Sequence, residues 1–127
     1  MIYKVKHFGL SEFTCPDCGV TVIVAPLVFW LDQIRRACGA PLIVTSGYRC
    51  IPHNTQVKGA PLSRHLIGCA ADLRAPQNMS FGAFTALAQR FTVEGGEFIS
   101  YKASGTIHFA VPRTEIKKVW LGGDLAL

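Results

Sequence analysis

A histidine that interrupts an apolar strand places the strongest constraint on how this chain can fold. In GTIHFAVP (residues 105–112), Ile107 and Phe109 flank His108. Strand side chains alternate between faces, so burying Ile107 and Phe109 turns His108 to the opposite side. A polar side chain there must be hydrogen-bonded, exposed or bound to a metal. A second stretch, SRHLIGCAADL (63–73), sets His65 seven positions before Asp72, with Arg64 and Arg74 beside them. Taken singly, each of these reads as a structural residue. Taken together, two imidazoles and one carboxylate make a common zinc set with a fourth position left to water. Zinc held there lowers the pKa of its water toward about 7 and polarises a carbonyl.

The segments around these residues define an α+β domain. APLVFWLDQIRRACG (25–39) predicts a helix, with Leu27, Trp30, Leu31, Ile34 and Cys38 as one apolar stripe. Pro26 suits its first turn and Gly39 its stop. PLIVTS (41–46) reads as a short buried strand ending in the turn SGYR, and residues 50–64 read as a loop. CAADLRA (69–75) reads as a second strand. SFGAFTALAQRF (80–91) predicts a second helix capped by Ser80, with Phe81, Phe84, Leu87, Ala88 and Phe91 as its stripe. After the break at EGG, the segments EFISYK, TIHFAV and KKVWL predict a three-stranded meander. The expected architecture is a single domain over residues 1–127: two helices packed on a small, largely antiparallel sheet.

Composition narrows the function classes. The chain is 50% hydrophobic and 17% charged, with no apolar run near the roughly 18 to 20 residues of a membrane span. Its first residues, MIYKVKHFGLSEF, lack a signal-peptide core, so synthesis in the cytoplasm is expected. Net charge is +5, which suits anionic partners, including an acidic cell-wall polymer. The positive charges are scattered without a basic block or aromatic arm, which argues against nucleic acid as partner. The five cysteines (15, 18, 38, 50 and 69) are an odd set without a secretory signal, which argues against a disulfide-stapled scaffold. CPDC (15–18) is half of a structural zinc motif, to which Cys50 or Cys38 could add thiolates. A knuckle, with metal, disulfide or neither, is the reading of Cys15 and Cys18. A nucleic-acid-binding ribbon lacks its second half. Cys69 reads as small core filler.

TSGYRCIPHNTQVKGAPLSRHLIGCAADL, followed by TIHFAV, resembles the D-alanyl-D-alanine carboxypeptidase-like zinc peptidases. That fold group also contains phage L-alanyl-D-glutamate endopeptidases and the hedgehog signalling domain. FGLSEFTCPDCG resembles the opening of a small phage-type subfamily, and the resemblance runs from about residue 8 to residue 111. Its specific core is S-x-H-x6-D followed by a late strand histidine. The resemblance implies zinc at His65, Asp72 and His108. It makes Arg49 of SGYR a substrate-facing group, and a guanidinium fork suits a carboxylate or a developing oxyanion. Ser63 would orient the first ligand or bind substrate. His53 matches a structural position outside the site.

The implied function is zinc-dependent hydrolysis of peptidoglycan stem peptides, of carboxypeptidase or endopeptidase type. Action would be at the cell wall or periplasm, with delivery by a phage virion or at lysis. One feature departs from the resemblance. Relatives carry the general base three residues before the last histidine or two residues after it, and here those positions are Gly105 and Ala110. Of the nearby acids, Glu94 and Glu97, the latter is the candidate base. The empty positions also support an alternative: a catalytically silent zinc module that binds cell wall or protein.

Overall fold

The computed structural model describes residues 1–126. Six strands and three helices follow in order: β1 (Ile2–Tyr3), α1 (Ala25–Cys38), β2 (Ile43–Ser46), α2 (Ile51–Gln56), β3 (Ala70–Arg74), α3 (Phe81–Gln89), β4 (Glu97–Tyr101), β5 (Thr106–Ala110) and β6 (Leu125–Ala126). Single 3-10 turns lie at Leu10–Phe13, Arg64–Ile67 and Arg113–Lys117. The main sheet has the order β2-β3-β5-β4, antiparallel throughout, and β1 pairs with β6 in a separate ribbon.

The expected helices form for the expected reasons. Pro26 sits in the first turn of α1, where its missing N–H costs nothing. Gly39 closes the helix at φ 67°, a left-handed conformation that favours glycine, and its N–H bonds to Arg35 O. Leu27, Leu31, Ile34 and Cys38 are buried, whereas Trp30 is only partly covered. At α3, Ser80 Oγ accepts from Ala83 N at 3.1 Å. Phe84 and Ala88 are fully buried, with Phe81, Leu87 and Phe91 packed around them. Each fully buried leucine or phenylalanine contributes about 1.5 to 3 kcal/mol of transfer free energy.

The two faces of the main sheet differ in chemistry. Ala71 pairs with Phe109 and Leu73 with Ile107, and all four are fully buried in the cluster shared with α1 and α3. The opposite face carries a row across all four strands: Ser46 opposite Asp72, Asp72 opposite His108, and His108 opposite Ile99. The period of two read from the sequence therefore separates core from site.

Asp32 ties the N-terminal strand to α1. This fully buried carboxylate accepts from Tyr3 Oη at 2.6 Å, His7 N at 3.2 Å and Arg36 Nε at 3.0 Å. Burial, together with the bond to Asp32, pushes the Tyr3 phenol up to about 12.

Four expectations are corrected. Residues 51–56 are the helix α2 rather than loop, because Pro52 stands in its first turn, where proline starts a helix instead of ending one. Among the described residues the helices are therefore three. The strand 43–46 is a sheet edge rather than a buried strand, with Ile43 exposed and Thr45 bulging out of register. KKVWL is not a meander strand: Lys117 ends a 3-10 turn and Val119 makes an isolated bridge to Val24. Its backbone serves the start of α1 instead, with Ala25 N donating to Lys118 O and Trp120 N to Ile23 O, both at 2.7 Å.

Candidate metal centre

His65, Asp72 and His108 converge, with one ligand atom from each within 4.8 Å of the others. Asp72 comes from β3 and His108 from β5, as direct cross-strand partners. His65 stands on the 3-10 turn Arg64–Ile67, which Ser63 caps by accepting from His65 N at 3.2 Å. Gly68 ends that turn at φ 75°, and a Cβ there would drive into the Val22 carbonyl. Glycine is thus required twice over, by conformation and by close approach.

The hydrogen bonds behind the two imidazoles fix their tautomers. His65 Nδ1 lies 2.7 Å from Gly47 O, a carbonyl that can only accept, so Nδ1 carries the hydrogen. Its Nε2 lone pair then faces Asp72 Oδ1 at 3.2 Å. His108 Nε2 lies 2.9 Å from Glu97 Oε1, so that nitrogen is the donor. The His108 Nδ1 lone pair faces the same Asp72 oxygen at 3.1 Å. Three acceptors meet with no donor between them. A cation must satisfy them, either a proton or a metal, and two imidazoles with a carboxylate suit zinc. Each histidine also has the outer partner that metal-bound imidazoles ordinarily have.

The charges follow from these contacts. Burial pushes the Asp72 carboxyl up, but without a metal a proton on the facing nitrogen of His108 or His65 bonds to it, which outweighs burial and holds the group well below the usual carboxylate range. Burial pushes His108 down, and its bonds to Asp72 and Glu97 reverse this, so its pKa is raised. Burial raises Glu97, while the His108 bond and the Arg64 guanidinium bring it below its ordinary value. Glu97 is therefore ionised at neutral pH, the form a proton acceptor needs.

A cleft of about 480 Å³ opens over these residues, lined among others by Arg49, Ser63, Glu97, Ile99 and Tyr101. Arg49 donates through Nε to Ser46 Oγ at 3.0 Å, through Nη1 to Asn54 Oδ1 at 3.3 Å and through Nη2 to Asp72 Oδ2 at 3.2 Å. Arg64 reaches Glu97 Oε2 with Nε at 3.4 Å and holds Gly95 O and Val111 O through Nη1. Among the described residues, Glu97 is the one carboxylate of the cleft besides Asp72. Glu94 lines a separate groove, and His53, on α2, does not line the cleft.

The structure thus gathers all six residues expected from the sequence: Arg49, Ser63, His65, Asp72, Glu97 and His108. Sequence reasoning missed the Gly47 carbonyl, Asn54 and the pairing of Arg64 with Glu97. A backbone carbonyl leaves no trace in residue identity. Arg64, next to His65, was the visible hint of the pairing.

The profile of the peptidase M15 family matches residues 6–110. A zinc D-Ala-D-Ala carboxypeptidase from Streptomyces albus G is 42% identical over 67 residues, covering 51% of this chain and 25% of that protein. The matched segment therefore spans about a quarter of that relative's length.

Proposed function

This chain belongs to the peptidase M15 family, and from that premise we propose that it is a zinc hydrolase cutting amide bonds in the peptide part of bacterial peptidoglycan. The observation that carries the proposal is the meeting of three acceptor atoms, from His65, Asp72 and His108, in a cleft beside an arginine and an ionised carboxylate. His65 Nε2, Asp72 Oδ1 and His108 Nδ1 would hold the zinc. When bound, it supplies a Lewis acid and an acidified water.

The remaining steps belong to the chain's own side chains. Arg49 has five N–H donors, of which three serve Ser46, Asn54 and Asp72, leaving two for a substrate carboxylate or oxyanion. Glu97 takes the proton of the water that adds to the scissile carbonyl carbon. As the C–N bond breaks, that proton passes to the leaving nitrogen.

The empty base positions of the sequence have a physical account. Gly105 holds φ 69° in the β4–β5 turn, where an acid would be strained. Ala110 is fully buried, where an acid would be a desolvated charge. Glu97 is the cross-strand partner of Ala110, so it points from the same sheet face as an acid at 110 would. A carboxylate from β4 takes up the duty that β5 leaves open.

This substrate puts the site of action at the cell wall or periplasm, and delivery by phage lysis or virion remains the reading of the small-subfamily resemblance. The test is release of D-alanine or of shorter peptides from purified stem peptides and cross-linked dimers, with a chelator control. Release of terminal D-alanine marks a carboxypeptidase, and cleavage of an internal or cross-link bond marks an endopeptidase. Zinc-loaded protein that binds peptidoglycan and cuts none of these peptides would overturn hydrolysis and establish the silent binding module.

A further inference from the structure

A second cluster of metal-type ligands lies outside the cleft. Cys15, Cys18 and Cys50 bring their sulfurs within 4.8 Å of one another. We propose that these three cysteines form a second, structural zinc site, independent of the hydrolytic centre.

The geometry favours a metal over a disulfide. Cys15 Sγ and Cys50 Sγ are 3.6 Å apart. A disulfide needs about 2.05 Å between sulfurs. A tetrahedral zinc with Zn–S bonds of about 2.3 Å separates its sulfurs by about 3.8 Å. The observed 3.6 Å between Cys15 and Cys50 is close to that edge.

The backbone is folded as a thiolate cradle. Cys15 N donates to Val20 O at 2.9 Å and Gly19 N to Cys15 O at 3.0 Å, closing a tight loop around CPDCG. Gly19 takes the left-handed conformation, φ 73°, that lets this loop reverse. Asp17 Oδ2 lies 4.0 Å from Cys50 Sγ. The other two cysteines are excluded by place: Cys38 donates to Ile34 O within α1, and Cys69 is buried at the head of β3.

Such a metal would join two distant parts of the chain. It would clamp the loop after the Leu10–Phe13 turn to Cys50, the residue next to Arg49. Tyr48 N already bonds to Phe13 O at 2.9 Å, and Arg49 N to His65 O at 3.1 Å. The metal would lock the backbone from which Arg49 reaches Asp72. Binding energy at the thiolates would thus become folding energy for the arm that carries Arg49.

The test is metal stoichiometry with cobalt spectroscopy on the full chain. The parent should carry two equivalents of zinc. Cys50→Ser and Cys18→Ser should each fall to one, and His65→Ala should retain one. Cobalt-loaded His65→Ala should keep a near-ultraviolet thiolate-to-cobalt charge-transfer band, and Cys50→Ser should lose it. If the cysteine variants fail to fold, His65→Ala decides alone: one retained metal with the band supports the site. A His65→Ala protein without metal, or a parent whose intact mass shows a Cys15–Cys50 disulfide under reducing preparation, would overturn it. None of these readouts uses hydrolysis, so failure of this site and failure of the proposed activity are separable.

Discussion

Asp72 and His108 are direct partners across β3 and β5, and Asp72 Oδ1 and His108 Nδ1 lie 3.1 Å apart. The ladder between two antiparallel strands therefore sets the distance between two of the three proposed ligands. Only His65 depends on a turn, and Gly47 and Ser63 hold that turn through its ring and its backbone.

Replacing His65 with alanine removes one of the three proposed cleft ligands. His65→Ala should lose the cleft zinc while keeping the metal proposed at the cysteines. Elemental analysis against the parent checks this. Unchanged metal content would refute the ligand assignment.

Arg49→Lys keeps the charge and loses the planar fork that contacts Ser46, Asn54 and Asp72 together. Loss of an oxyanion donor costs on the order of 10² to 10³ in turnover. The variant should lose kcat by about that factor while zinc content and melting temperature stay near the parent's. Full activity would reduce Arg49 to a turn residue.

Glu97→Gln separates two duties of one side chain. The amide oxygen can still accept from His108 Nε2, so the ring stays oriented, but the proton acceptor is gone. Turnover should fall by on the order of 10² to 10⁴, with zinc affinity retained. A drop in zinc affinity of about 10- to 100-fold at unchanged kcat would instead make Glu97 a positioning residue.

The pH dependence follows from the raised pKa of His108. Its protonated form stabilises the metal-free fold below the unfolded value of 6.5, and this contribution fades as pH rises through the higher folded value. Zinc needs the neutral ring, so the same proton competes with it. The rise in melting temperature on adding zinc should shrink as pH falls from about 8 toward about 6. Subtracting the rise seen in His65→Ala isolates the cleft from the thiolates. A pH-independent difference would remove His108 from the ligand set.

Gly68→Ala tests the support of the His65 turn. With φ at 75° and the Val22 carbonyl in the path of a Cβ, the variant should lose on the order of 1 to 3 kcal/mol. Its cleft zinc should bind more weakly as His65 shifts. Thermal unfolding with a zinc titration measures both.

Much of this was legible because it follows from periodicity. The stripes of α1 and α3, and the alternation Ile107, His108, Phe109, state in residue type which face is buried. The family resemblance pointed to His65, Asp72, His108, Arg49 and Ser63, which the structure brings to one cleft. What the sequence concealed depends on tertiary neighbours. Pro52 starts a helix or breaks one according to where the preceding chain turns. Val119 bridges Val24 instead of extending a meander because the start of α1 needs backbone partners there. The exposure of Ile43 reflects an edge position that composition cannot report. Glu97 was visible as an acid, but its place opposite Ala110 is a matter of register.

The alternation in β5 has an evolutionary consequence. A one-residue slip against β3 would drive Ile107 and Phe109 into the cleft and push His108 among hydrocarbon side chains. The cost of that exchange guards the placement of His108 without any contribution from activity. Any sequence drift that keeps Ile107 and Phe109 buried also keeps position 108 on the cleft face of the sheet. Selection for mere solubility would therefore preserve that orientation, even in a lineage that no longer used the cleft.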